Sequence, residues 1–154
     1  MMGLRLFGYV CLGIISAAIV VTAGTLAWFI ADRGLPVEVS ETTVLTPVVK
    51  PGGKLVIRQR LVYMRNCSAY VDRALFDAHT HRAILPPVRY ERPPQGLGQR
   101  TITFSVTVPE EFEPGEGQYH AAPEYACNPL QRHYWPITRA QNVVRFRIER
   151  AREY

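Results

Sequence analysis

From Leu6 to Ala31 the chain contains no Asp, Glu, Lys, Arg or His. Twenty-six such residues wound as an α-helix rise about 39 Å, against a bilayer hydrocarbon core of about 30 Å, so the run is long enough to span with some tilt. A secretory signal peptide has a shorter apolar region and ends at small residues. Here Trp28, Phe29 and Ile30 stand where cleavage would have to occur, which favours a retained signal anchor. Cys11 follows Tyr9 and Val10, not the small residues expected before a lipid-modified cysteine. The remainder of a 154-residue chain has room for one core.

Flanking charge sets the expected orientation. Arg5 and the free amine precede the apolar run, whereas Asp32, Arg33, Glu38 and Glu41 follow it with no lysine before Lys50. The positive-inside rule then gives a cytoplasmic tail over 1–5, a transmembrane helix over 6–31, a linker over 32–36 and an extracytoplasmic, periplasmic domain over 37–154. Cysteine usage agrees: besides Cys11, the chain has only Cys67 and Cys127, the number one disulfide needs in an oxidising compartment. The helix's expected partner is the lipid bilayer. Gly13 with Ala17 and Ala23 with Ala27 lie at the helical spacing that would let two anchors pack as a homodimer.

Beyond Val37 the hydrophobic period changes to two. Ile102, Phe104, Val106 and Val108 alternate with Thr101, Thr103, Ser105 and Thr107, and Val144, Phe146 and Ile148 alternate with Arg145, Arg147 and Glu149. Leu55, Ile57, Leu61, Tyr63 and Cys67 share one parity, as do Tyr119, Ala121, Tyr125 and Cys127, so a disulfide between two packed sheets is expected. Turn signals at Pro51-Gly52-Gly53, Pro86-Pro87, Pro93-Pro94 and Pro114-Gly115 punctuate the strands, and no window offers a long amphipathic helix. The expected class is all-β, an antiparallel sandwich or barrel behind one N-terminal transmembrane helix.

The stretch Phe112-x-Pro114-Gly115, then Tyr119, then Tyr125-Ala126-Cys127, resembles the E–F turn and strand F of immunoglobulin-like and fibronectin-like domains, including the Tyr two residues before a Cys. The resemblance covers about residues 37 to 150. It implies an Ig-like β-sandwich and a bridge from Cys67 to Cys127 between strands B and F. The chain lacks a Trp after Cys67 in strand C, where Phe76 is the nearest bulky residue. An N-terminal anchor followed by one small disulfide-bearing β-domain also resembles uncharacterised membrane proteins of bacteriophage and proteobacterial genomes, which implies no activity.

No G-x-S-x-G elbow, H-E-x-x-H or phosphate-cradling glycine loop is present, so no catalytic residue and no cofactor is expected. His79-x-His81, with His120 or His133, is too sparse for a closed zinc site, and no metal is expected. The carboxylates Glu110, Glu111, Glu113 and Glu116 read as a solvated turn. Residues 36–154 hold sixteen basic and twelve acidic residues, fourteen of the basic ones Arg, with the densest run at Arg139, Arg145, Arg147, Arg150 and Arg152. That balance suits anionic headgroups or an envelope protein or polymer; nucleic acid is excluded by the expected compartment. In an Ig-like topology the 128–141 loop faces the bilayer, so Arg132, His133, Tyr134, Trp135 and Arg139 form a candidate membrane-surface or partner contact. The expected function is a non-enzymatic envelope binding or assembly module. A small structural subunit of an envelope or virion complex is the alternative, and an envelope enzyme the third reading.

Overall fold

A computed structural model of the chain describes the backbone of residues 2–150 and the side chains of residues 6–150. Met1, the side chain of Arg5, and Arg152 lie outside the described residues. The chain divides into two compact units, Met1–Gly34 and Leu35–Tyr154. The first is helix α1, Met2–Ala31, so most of the expected 1–5 tail is helical. Its Leu6–Ala31 portion is long and apolar enough to cross a membrane. Thr22 and Thr25 do not interrupt it, because each hydroxyl donates back to the carbonyl four residues earlier, Ala18 and Val21, at 2.8 Å.

In the second unit the strands are β1 (Val37–Val44), β2 (Val48–Val49), β3 (Lys54–Tyr63), β4 (Ser68–Phe76), β5 (Arg82–Tyr90), β6 (Gly98–Thr107), β7 (Gly115–Ala126), β8 (Ile137–Thr138) and β9 (Asn142–Ile148), with a short helix α2 (Pro129–His133) between β7 and β8. They form a three-stranded sheet, β1-β3-β6, and a six-stranded one, β2-β9-β7-β4-β5 with β8 also on β7. Inward side chains of both sheets share one buried layer that includes Leu55 and Ile57 of β3, Val106 of β6, Leu75 of β4, Tyr119 of β7 and Phe146 of β9. The two-residue alternation read in the sequence is the pattern that fills this layer. Gly117 on β7 has a packing role: a Cβ there would come within 2.7 Å of the Phe146 ring.

Three expectations need correction. The sandwich is not wholly antiparallel, because β2 pairs with β9 in parallel. After β1 the chain crosses at Thr46-Pro47 to the other sheet, continuing in its original direction, and Thr46 Oγ1 holds the crossing by accepting from Val56 N–H at 2.7 Å. Two residues are too few for a periodicity to show. The bulky core residue of β4 is Leu75, fully buried, whereas Phe76 faces outward with its ring centroid 4.6 Å from that of His120.

The disulfide, too, departs from the expected bridge between sheets. Cys67 and Cys127 are bonded, with a Cα separation of 4.4 Å. They do not join the two sheets. The β4–β7 ladder ends with Ser68 opposite Ala126, so the cysteines occupy the next rung of the same sheet, at the spacing of a non-hydrogen-bonded antiparallel pair. Parity placed both residues on apolar faces but could not tell which strand Cys67 borders, since it closes the loop that carries the chain from β3 in one sheet to β4 in the other.

Pro123 lies inside β7, a central strand, where a missing N–H would ordinarily break a ladder. Here β7 changes partners. It pairs with β9 up to Ala121 and with β8 from Glu124, and the Pro123 carbonyl accepts from Arg139 N–H between the two.

Replacing Cys67 and Cys127 together by Ser removes a cross-link between residues 60 apart in sequence. In the chain-entropy relation this costs roughly 4 kcal/mol of folding stability. Urea unfolding of the full chain in detergent, followed by tryptophan emission, measures the loss.

Candidate functional site

The ladder end that carries the disulfide also carries α2. Asn128 caps the helix, its Oδ1 accepting from Gln131 N–H at 3.0 Å, and Pro129 occupies the first turn, where its missing N–H costs nothing. The buried Gln131 side chain reaches back so that its Oε1 accepts from Cys127 N–H at 2.8 Å. Helix and disulfide are therefore fixed to each other. The loop expected over 128–141 thus contains a helix, which Asn128-Pro129, a cap residue before a proline, could have signalled; five residues give no amphipathic period by which to find it.

Of the five candidate residues here, four share one exposed segment. Arg132 and His133 end α2 and are exposed, Tyr134 is 83% exposed and Trp135 52% exposed. Trp135 thus does not fold over the disulfide as core. Arg132 makes a long 3.8 Å ion pair with Glu91, and the rings of His133 and Tyr134 meet edge-on with centroids 6.3 Å apart. Arg139 is separate from this group. It is half-buried, and its Nη1 donates to the Val37 carbonyl at 3.3 Å, so it ties the start of β1 to this end of the domain.

A second feature had no sequence signal. Two adjoining cavities of about 110 and about 390 Å3 share Gln59, Tyr63, Val71, Tyr90, Pro94 and Ala121. The larger is walled by β6 from Thr101 to Phe104 and by Val88 and Tyr90 of β5. Arg73 also lines it; its Nε and Nη2 donate to the Pro86 carbonyl at 3.2 and 2.6 Å, and it pairs with no carboxylate among the described residues. Burial, with the nearby Tyr90, raises the Tyr63 phenol above its ordinary pKa. Burial also raises Tyr119, against the opposing pull of Arg73. The phenols are thus neutral hydroxyls near physiological pH, and the cleft combines apolar walls with hydrogen-bonding tips.

At the opposite end, Asp77 organises the β4–β5 turn. Its side chain is fully buried; Oδ1 accepts from the N–H groups of His79 and His81 at 2.8 and 2.9 Å, and Oδ2 from Glu113 N–H at 3.2 Å, with His81 Nδ1 at 2.7 Å. Burial alone would raise its pKa, but these hydrogen bonds outweigh it, the His81 ring foremost, and hold the carboxyl at about 2. Thr80, at the turn's tip, takes a φ of 67°, a conformation unfavourable for a β-branched residue. The Asp77-Ala78-His79-Thr80-His81 run is a side-chain-anchored turn, not two imidazoles on a strand face. His79 meets Glu113 at 3.1 Å, His120 lies between Gln118 and Gln141, and His133 sits at the other end. Among the described residues no three His, Cys, Asp or Glu are grouped to hold a metal. Of the remaining acidic-turn and arginine-run residues, Glu116 and Arg145 pair across β7 and β9 at 3.5 Å.

A scan against protein-family models finds no match, and neither does a search of curated proteins. Solved structures with similar backbones include the alkylpurine DNA glycosylase AlkC of Pseudomonas fluorescens bound to DNA containing an abasic site analog, at 13% identity and a TM-score of 0.45, covering 76% of this chain and 31% of that one. A β-glucosidase of Listeria innocua matches at 13% identity and a TM-score of 0.44, over 73% of this chain and 16% of the enzyme. The sporulation control protein Spo0M of Bacillus subtilis matches at 14% identity and a TM-score of 0.38, over 77% of this chain and 51% of that one. This chain spans under a third of the first and about a sixth of the second. Such likenesses carry no functional argument.

Because Asp77 has a lower pKa folded than unfolded, it contributes stability that is complete above about pH 4 and is lost as pH falls toward about 2. Asp77→Ala should cost about 1–3 kcal/mol at neutral pH, by leaving buried N–H groups without an acceptor, and should flatten the acid limb of the stability curve. Thermal unfolding of both proteins from pH 7 to pH 2 measures both effects.

Proposed function

We propose that this chain is a single-pass, membrane-anchored, non-enzymatic binding or assembly module of the cell envelope, with an Ig-like β-sandwich outside the cytoplasm. The Leu6–Ala31 helix and the Cys67–Cys127 bridge support the placement, since structural disulfides persist in oxidising compartments. The strand order supports the Ig-like reading: β1-β3-β6 corresponds to A-B-E, and β9-β7-β4-β5 to G-F-C with an added C′. Among the described residues no fourth strand, D, borders β6 in the smaller sheet.

The observation that carries the binding role is the open edge of β6. Strand β6 pairs only with β3 among the described residues, over ten rungs from Lys54–Thr107 to Tyr63–Gly98. Its outer edge runs through Thr101–Val108, a stretch without charge, Pro or Gly. Such an edge is a template for strand addition. The cleft between β5 and β6 lies beside it, so an extended partner segment laid against β6 would gain backbone hydrogen bonds along the edge and side-chain pockets at Val88, Tyr90, Ile102 and Phe104.

Two measurements test this reading. In intact cells, Cys67 and Cys127 should resist a membrane-impermeant maleimide until reductant is added outside, and then react; thiols already free, and reachable only after lysis, would remove the extracytoplasmic placement. Full-length protein extracted in mild detergent should carry a stoichiometric partner that Thr101→Lys with Ser105→Lys strips away while the disulfide remains formed. A partner indifferent to that double variant, or no partner at all, would remove the edge from the proposal, and a second copy of the chain at that edge would favour the structural-subunit reading.

A further inference from the structure

The first strand of the β-domain begins against the segment that follows α2. Val37 packs with Leu61, Tyr125 and Ile137, and its carbonyl accepts from Arg139 Nη1. Six peptide steps from Ala31 to Val37 reach at most about 20 Å. Strand β3, whose Tyr63 pairs with Val37, carries the domain away from this end for ten residues, about 30 Å. The chain therefore enters the β-domain at its α2 end, a short linker after the apolar segment.

That end displays Arg132, His133, Tyr134 and Trp135 on a short, firmly held turn. Tyr134 N–H and Trp135 N–H both donate to the Leu130 carbonyl, at 3.0 and 3.2 Å, and the Gln131 hook beneath fixes the helix to Cys127. Amphipathic aromatic rings settle at headgroup level, and a guanidinium beside them is drawn to anionic phosphates. No ordering of a loop is needed on contact, because the turn is already closed by its own hydrogen bonds.

We propose that Tyr134 and Trp135 seat in the headgroup layer of the membrane that anchors the chain, with Arg132 on a lipid phosphate and Arg139 acting from behind as a positioning residue through Val37. This rests on the anchored reading and adds to it the surface by which the β-domain meets lipid.

The chain has two tryptophans, Trp28 and Trp135, so each can be isolated by a conservative change of the other. Full-length Trp28→Phe protein is reconstituted into phosphatidylcholine–phosphatidylglycerol vesicles containing lipids brominated either close to the headgroup or deep in the acyl chain. Trp135 emission should fall by roughly half with the shallow bromines and change little with the deep ones, the depth at which interfacial aromatics sit. Arg132→Gln, or omission of the phosphatidylglycerol, should reduce the shallow quenching without abolishing it. Trp135 untouched by bromine and fully quenched by iodide would overturn the proposal. Trp135 shielded from both would also overturn it, since a protein would then cover the site. Trp135→Phe protein is the companion measurement: if Trp28 is not quenched by brominated lipid at any depth, the anchored reading itself fails.

Discussion

Two small sheets sharing one apolar layer impose the constraint on which the β-domain depends. Neither sheet could stand alone in water with Leu55, Ile57 and Val106 on one face, or Leu75, Tyr119 and Phe146 on the other. Once the layer is shared, the chain must change sheets, and two of the crossings carry a visible device. At Thr46-Pro47 a hydroxyl accepts the N–H group of Val56. Between β3 and β4 the device is covalent, the Cys67–Cys127 bridge at the first rung beyond the ladder.

That bridge does more than restrict the unfolded chain. It borders a second, smaller apolar cluster made by Val37, Leu61, Tyr125 and Ile137, the point at which the chain enters the domain. Gln131 links Cys127 to α2, and Arg139 links the strand after α2 to Val37. Burial, opposed by the nearby Arg139, raises the Tyr125 phenol, so this end keeps a neutral hydroxyl among its apolar residues. Chain entrance, disulfide and exposed aromatic turn thus form one connected unit.

The sequence made the strands legible wherever alternation ran for four or more residues. Ile102-x-Phe104-x-Val106-x-Val108 and Val144-x-Phe146-x-Ile148 face the core as their period requires, and the two cysteines pair as their count requires. It did not show which strands the bridge joins, because parity reports a face and says nothing of neighbours. It did not show that Asp77 is buried, because besides its local bonds to His79 and His81 its carboxylate also accepts from Glu113 N–H, 36 residues away. The cleft between β5 and β6 was equally hidden, since its lining comes from strands of both sheets that are distant in sequence. The exposed aromatic turn was legible as residue types, and its rigidity was not, because it comes from α2 and the Gln131 side chain, which the loop reading of 128–141 did not contain.

The edges of the two sheets differ in a way that bears on what the domain is for. Natural sheets blunt their edges with bulges, prolines, charges or brevity. Here β2 is two residues long, β1 is bulged between Val39 and Glu41 and carries Glu38, and β5 has Pro86-Pro87 where its register with β4 shifts. Strand β6 has none of these within Thr101–Val108; Arg100 and Pro109 stand only at its ends. Among the described residues three edges are blunted and the longest is not, and a bare uncharged edge is the kind that takes on a further strand. Among the described residues β6 thus keeps an open, uncharged edge beside the cleft that Val88, Tyr90, Ile102 and Phe104 line, and this juxtaposition is the physical basis of the strand-addition proposal.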